Sequence, residues 1–417
     1  MPVKKLSSVS DGTDIHELQA CIYPGGHCPL FGVHHTLGNI SGITILVIGT
    51  ADCGFYVYKT MKNFKSKSWH GAGIRCAVLE EADVINGCEE DLKNILTQLD
   101  NDVETRLIVI VTTCVLELIG EDIPGIVHGV QKQFNTPISI IRSENFKTAD
   151  YLQGVEQSME SVSSLIRPIP KVPKRFSILG PRFSGIEKNL VIQRLLQNGY
   201  TIVSQFPFDA DISSVQEISS SSFVIITENT ALKLARSLES KFQIPFVDFT
   251  PSPFPADVKA SFDRLSELTG VSFNKDMEAE ENEIEILRNR LASLYRNKKF
   301  IIGNVIGSPF TAACLIAEIG GDIELILARN IYKEDGKSVC RLIEMGQDPL
   351  VAKNANISAM EICFPRFEAD FHIGMGWGRT MNDNGIRFLS SGALAPWIGT
   401  CYRKNFYRSL LKQGEES

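Results

Sequence analysis

Ile43-Thr44-Ile45-Leu46-Val47-Ile48-Gly49-Thr50-Ala51-Asp52-Cys53-Gly54 is a short apolar, β-branched run that stops at a glycine and a cysteine. A second run of the same kind, Arg106-Leu107-Ile108-Val109-Ile110-Val111-Thr112-Thr113-Cys114, also stops at a cysteine. Continuous hydrophobicity over so short a span marks strands buried on both faces, the pattern of a parallel sheet. In open α/β sheets the loops at the carboxyl ends of parallel strands converge on one crevice, where ligands bind. The two runs therefore direct Cys53 and Cys114 toward a common place. Helix-like stretches follow both, over 55–64 and from 115 onward, and their N-terminal amides and dipoles favour negative charge.

Outward from these runs the chain reads as three blocks of alternating strand and helix, the signature of α/β layers with mostly parallel sheets. The first block spans about residues 20–150, with strands at 43–48, 75–79, 107–111 and 138–141. An amphipathic helix over 151–166 follows. The segment Arg167-Pro168-Ile169-Pro170-Lys171-Val172-Pro173-Lys174 then marks a linker, because its three prolines disfavour both helix and central strand. The second block has strands at 175–180, 201–203, 223–227 and 245–249 and helices over 186–198 and 276–299. The last of these is acidic at its start and carries Arg288, Arg290, Arg296, Lys298 and Lys299 at its end, which matches the helix dipole and predicts a solvated helix. The third block has strands at 300–303, 323–327 and 370–373 and a helix over 312–319. Gly374-Met375-Gly376-Trp377-Gly378 and Gly180-Pro181-Arg182-Phe183-Ser184-Gly185 are weak phosphate-loop patterns, more in keeping with tight strand-to-helix turns.

Composition narrows the class. With 417 residues, 43% hydrophobic and 22% charged, the chain reads as a multidomain soluble protein. No apolar run reaches the ~18 residues that span a bilayer, and the start lacks the apolar core of a secretory signal, so a cytoplasmic location is expected. A net charge of −7, without a basic cluster interleaved with aromatics, argues against a nucleic-acid partner. The lysines between Lys59 and Lys67 read as a solvated helix face or a docking rim for an acidic surface. Ten cysteines in such a chain argue for reduced thiols, some of them metal-binding, rather than a disulfide framework.

Cys28 supplies a third thiol, in the turn Pro24-Gly25-Gly26-His27-Cys28-Pro29. Gly32 and Gly54 nearby lack a Cβ and let backbone approach a bulky group. Cys28, Cys53 and Cys114 read together as thiolate ligands of an iron–sulfur cluster. The alternative is three unrelated buried cysteines, since free cysteine is among the most buried residue types. Cys21 and Cys88 are secondary ligand candidates, each with a packing alternative, and Cys76, Cys314, Cys340, Cys363 and Cys401 read as structural.

Cys28-Pro29-Leu30-Phe31-Gly32, Ile48-Gly49-Thr50-Ala51-Asp52-Cys53 and Val111-Thr112-Thr113-Cys114-Val115-Leu116-Glu117-Leu118-Ile119-Gly120-Glu121-Asp122-Ile123 resemble three segments of the nitrogenase component 1 superfamily. Its members include molybdenum–iron protein subunits, light-independent protochlorophyllide and chlorophyllide reductases, the nickel-sirohydrochlorin reductive cyclase and cofactor-assembly scaffolds. Glu80-Glu81-Ala82-Asp83-Val84-Ile85-Asn86-Gly87 is similar to a family segment between the second and third cysteines, and Gln243-Ile244-Pro245-Phe246 and 370–378 to weaker landmarks. The chain departs from the family at Ile48 and Asp52, where a histidine and a glycine are frequent. It also has no cysteine between Cys114 and Cys314, and its only histidine after His128 is His372, which reads as a satisfied core residue. Nitrogenases hold their catalytic cofactor with a second-domain cysteine and a third-domain histidine, so that role is set aside.

The resemblance implies an α/β fold of three Rossmann-like domains with mostly parallel sheets around a shared cleft, with limits at 1–170, 171–298 and 299–417. It implies an iron–sulfur cluster, 4Fe-4S or larger, on Cys28, Cys53 and Cys114. The fourth ligand would come from a partner subunit, Cys21, Asp52 or solvent. It implies as partners a homologous or identical component 1 subunit and an ATP-hydrolysing iron–sulfur reductase, for this chain has no Gly-x-x-x-x-Gly-Lys-Ser/Thr loop of its own. The implied function is a reductase subunit that passes electrons to a small-molecule substrate. The alternative is a scaffold for metallocluster assembly. Thr112 and Thr113 are candidate hydrogen-bond donors to the cluster, and Glu117, Glu121 and Asp122 form either a docking face or favourable charge at a helix N-terminus.

Overall fold

The structure is a computed structural model that describes residues 3–15, 28–38, 40–63, 73–144, 150–180, 185–303, 305, 307–353, 364–374, 378–390 and 401–415. Cys21, Cys363 and the centres of both glycine-rich segments (181–184 and 375–377) lie outside the described residues, as does 64–72 with Lys65 and Lys67 of the lysine run. The chain divides into two compact units, one of His27–Ser184 with Gly199–Phe246, the other of Met1–Gly26, Gly185–Asn198 and Val247–Ser417. Fourteen strands are described: β1 Lys4–Lys5, β2 Ile43–Gly49, β3 Gly73–Val78, β4 Leu107–Thr112, β5 Ile138–Arg142, β6 Arg175–Leu179, β7 Thr201–Phe206, β8 Phe223–Ile226, β9 Phe246–Asp248, β10 Lys299–Gly303, β11 Asp322–Ala328, β12 Leu350–Lys353, β13 Phe371–Gly374 and β14 Arg387–Ser390.

These strands form three sheets, of order β3-β2-β4-β5, β7-β6-β8-β9 and β1-β12-β11-β10-β13-β14. The first sheet is parallel throughout. In the second, β6 runs parallel to β7 and β8. In the third, only β1 is antiparallel, against β12. This is the mostly parallel α/β architecture expected. In each sheet the chain builds outward from a central strand in one direction and then returns to build in the other. The strand order reverses between β2 and β4, β6 and β8, and β10 and β13, which makes those three gaps the topological switch points.

The reading of β2 and β4 as doubly buried strands holds residue by residue. Both are buried along their whole length. Ile45, Val47, Val109 and Val111 enter one core, and Leu46, Ile48, Ile108 and Ile110 enter a second on the opposite face. Each fully buried Ile or Val side chain contributes about 1.5–3 kcal/mol, so alternation between two cores fixes the register firmly. At the amino ends of these strands the buried hydroxyls of Thr44 and Thr105 bond to each other at 2.8 Å.

Three details differ from expectation. The helix Asn274–Tyr295 stops four residues early, because Asn297 takes a left-handed conformation (φ 60°) and Lys299 starts β10. Its acids are not merely solvated: Glu281 pairs with Arg403 at 2.8 Å, and Glu280 and Glu283 pair with Lys404 and Arg408, all from the helix Cys401–Glu415. His372 is a core residue but not a satisfied one. It is fully buried against the rings of Phe364 and Phe388, and neither ring nitrogen has a hydrogen-bond partner.

Candidate functional site

The first sheet's switch point carries two of the three cysteines. Thr113 continues the β4 ladder by donating its amide to the Ile48 carbonyl at 3.2 Å, and Cys114 opens the helix Cys114–Ile119. On the neighbouring strand, Gly49 ends β2 and the helix Ala51–Asn63 begins two residues before Cys53 rather than after it. The amides of Cys53 and Gly54 both bond to the Thr50 carbonyl, at 3.1 and 3.4 Å, which sets Cys53 in the first helical turn. The Thr50 hydroxyl points at the Cys53 sulfur at 3.6 Å. Cys114 Sγ lies 4.0 Å from the Ser143 carbonyl, beyond the end of β5.

Cys28 reaches the same place from a helix. It is the N-cap of Pro29–Leu37, with proline at the first position and no side-chain cap bond of the usual Ser/Asp kind. The Phe31 amide bonds the Cys28 carbonyl at 2.9 Å, and the Phe31 and Leu30 amides lie near enough to its sulfur to favour the thiolate. That helix is fixed by a glycine crossing. A Cβ on Gly32 would stand 1.9 Å from the Tyr151 carbonyl oxygen, and one on Gly154 would stand 1.9 Å from the Pro29 carbonyl oxygen. The helix Tyr151–Ser161 therefore touches the Cys28 helix backbone to backbone.

The Cys28 thiol lies within electrostatic range of the other two. Burial pushes the Cys28 thiol above its ordinary range, the Phe31 and Leu30 amides oppose this, and the Cys53 and Cys114 charges push it further up. All three side chains are half-buried, and Cys28 and Cys53 pack on the same core. Burial also raises the pKa of Tyr56, with a further push from Cys28, so that phenol stays protonated.

Among the described residues no three His, Cys, Asp or Glu side chains close around a single metal ion. An iron–sulfur cubane asks for something wider, since each thiolate binds a different iron. Three features fit such a group: a donor set of three thiols, a helix N-terminus beside one sulfur, and a spare buried hydroxyl. The last is Thr113 Oγ1, buried without a partner next to Cys114. Gly49 makes room for it, for a Cβ there would stand 2.1 Å from Thr113 Oγ1.

The neighbouring candidates fare differently. Thr112 is spent on Glu117, which also pairs with Arg142 at 3.8 Å. Glu121 accepts the Cys88 amide at 3.2 Å, and Asp122 caps the helix Ile123–Val130 through the Gly125 amide at 3.0 Å. All three carboxylates thus have duties inside the fold. Cys88 lies in the core on the opposite face of the sheet from Cys28 and Cys53, and its sulfur is 3.8 Å from Glu121. Burial and that carboxylate push its thiol up to about 11. Asp52 is exposed in the first turn of its helix. Cys314, read from sequence as structural, is buried in the core, but Cys76, read the same way, is exposed and lies beside the Cys53 helix, a placement set by strand register.

A family model described as nitrogenase component 1 type oxidoreductase matches residues 28–398. The chain belongs to that family. It is 31% identical over 169 residues to the light-independent protochlorophyllide reductase subunit N of Cyanophora paradoxa, covering 39% of this chain and 36% of that subunit. It is 23% identical over 225 residues to the nitrogenase molybdenum-iron protein alpha chain of Methanosarcina barkeri, covering 50% of this chain and 41% of that one. The match to the nitrogenase iron-molybdenum cofactor biosynthesis protein NifE of Clostridium pasteurianum is longer, 22% identical over 372 residues, covering 85% of this chain and 78% of that protein. The chain thus spans about two-fifths of the length of the first two relatives. The solved structure of nitrogenase Cp1 at pH 6.5 shares the fold, with a TM-score of 0.65 at 14% identity over 96% of this chain and 90% of that one. No helix among the described residues is long and apolar enough to cross a membrane.

Proposed function

We propose that the chain is a reductase subunit of the component 1 type that holds an iron–sulfur cluster through Cys28, Cys53 and Cys114. The cluster would supply one-electron transfer at low potential. The residues' own part is to hold and tune it: three thiolates bind, the Leu30 and Phe31 amides and the Thr113 hydroxyl donate toward sulfur, and the surrounding core limits water. The observation that supports this reading is that Cys53 and Cys114 follow the two strands of one switch point while Cys28 packs on the same core as Cys53.

A second observation supports a partner over the cluster. Apolar side chains stand exposed on the two helices that carry Cys53 and Cys114: Phe55 (60% exposed) on the first and Leu118 (69%) on the second. Exposed apolar side chains beside a candidate site suit a surface that another protein covers. The partners proposed are a homologous or identical component 1 subunit, which would add the missing ligands, and an ATP-hydrolysing iron–sulfur reductase, which would deliver electrons bound for a small-molecule substrate.

The scaffold reading, in which the chain carries a nascent cluster without turnover, is favoured by the long match to a cofactor biosynthesis protein. Anaerobic preparation tests both. Brown protein with bound iron and sulfide, reoxidising a reduced ATP-dependent reductase only when ATP is present, supports the reductase. A cluster that transfers to an acceptor protein without such turnover supports the scaffold. Colourless, iron-free protein overturns both.

A further inference from the structure

Cys76 lies on β3, where it is the Cα partner of Val47 across the β2–β3 ladder. Parallel partners point to the same face, and Val47 and Ile74 both belong to the core that Cys28 and Cys53 touch. The Cys76 side chain therefore rises from the edge strand toward the helix Ala51–Asn63. The helix meets it at Gly54, where a Cβ would stand 2.7 Å from Cys76 Sγ and 3.2 Å from Cys76 Cβ. No side chain separates that sulfur from the first turn of the helix, and the next residue back is Cys53.

We infer that Cys53 and Cys76 form a redox pair that closes into a disulfide when the cluster is absent and a low-molecular-weight disulfide is present. Cys76 is the exposed member and Cys53 is half-buried, so the oxidant meets Cys76 first. The Cys76 thiolate attacks the oxidant's S–S bond, forming a mixed disulfide and releasing one thiol. The Cys53 thiolate then attacks the Cys76 sulfur, forming the Cys53–Cys76 bond and releasing the second thiol. One oxidant disulfide is reduced to two thiols for each protein disulfide formed, and the two protein protons leave with them. Cys53 sits in the first helical turn, its amide bonded to Thr50 and its sulfur in contact with the Thr50 hydroxyl, so turning its side chain from the core toward Cys76 leaves the helix in place. The burial and Cys53 charge that raise the Cys76 pKa agree with two thiols in mutual range.

Cluster binding and this disulfide compete for the same sulfur, a consequence that rests on the function proposed above. The pairing itself does not. Iron-free chain, incubated anaerobically with oxidised glutathione and mapped by peptide mass spectrometry, is expected to yield a Cys53–Cys76 linked peptide. C76S should leave Cys53 as a free thiol under the same treatment. A Cys76 glutathione adduct that never resolves, or a Cys28–Cys53 link in its place, would overturn the pairing. Iron-loaded chain should resist the link several-fold longer. If the link forms equally with and without added iron and sulfide while no iron is retained, the redox pair stands and the cluster reading falls.

Discussion

The first and second sheets share one strand order, with the reversal between β2 and β4 in one and between β6 and β8 in the other, yet their switch points carry different side chains. In both, a glycine at the end of the first central strand gives way to a threonine at the end of the second. Gly49 clears Thr113, and a Cβ on Gly180 would stand 3.0 Å from Thr227 Oγ1 and 3.0 Å from the Glu228 amide. In both, that threonine's amide continues the ladder, Thr113 to Ile48 and Thr227 to Leu179 at 3.0 Å. Beyond this point they part. The first sheet adds Cys53 and Cys114, and the second has Glu228 where the first has Cys114. The backbone plan supplies a crevice, and the few residues after the strands decide its chemistry.

The comparison can be broken most directly at the thiols. Serine at Cys28, Cys53 or Cys114 should lower iron per chain several-fold in anaerobically prepared protein, whereas Glu228→Ser, at the place in the second sheet equivalent to Cys114, should leave iron content unchanged. Equal loss from both would erase the distinction.

The paired glycines sharpen it. Gly49→Ala should cost about 1–3 kcal/mol in urea denaturation, because its methyl meets a side chain. Much of that should return when Thr113→Ala is added, a coupling that a double-mutant cycle measures. Gly180→Ala should cost a similar ~1–3 kcal/mol. Adding Thr227→Ala should not restore it, since Gly180 has a φ of 108° that an L side chain rarely adopts.

An acid titration separates both sheets from the third. Burial lowers the His372 pKa from the ordinary 6.5 to about 3. Between those values the unfolded chain binds a proton that the folded chain refuses, so stability falls as pH drops, by about 1.4 kcal/mol per pH unit from this group. His372→Phe should flatten that slope between pH 6 and 4, read as the denaturation midpoint against pH. An unchanged slope would mean that the ring finds a partner in solution. The smallest effect is expected from Thr113→Val, within about 1 kcal/mol in stability because its hydroxyl has no partner to lose. Its readout is the midpoint potential of the loaded protein, which should fall if that hydroxyl donates to sulfur.

What could be read from sequence follows from how local the signal is. β2 and β4 are legible because two-sided burial demands an unbroken apolar run. β1, β12 and β14 are not, since none holds an apolar run as long as Phe223–Ile226, which makes β8 legible at four residues. The three thiols are legible as strand-end and turn residues, and the family resemblance named them together. Thr112 and Thr113 look alike in sequence, yet adjacent strand residues face opposite ways, and only the fold shows one tied to Glu117 and the other free. Cys76 was equally hidden, because its nearness to Cys53 depends on the register of β3 against β2.

The crossing of Gly32 and Gly154 has a mechanical consequence. With no side chains as padding between them, the two main chains behave as one strut, and neither can slip or swivel without carrying the other. Any displacement of the helix Tyr151–Ser161 arrives undamped at the helical turn that Cys28 caps.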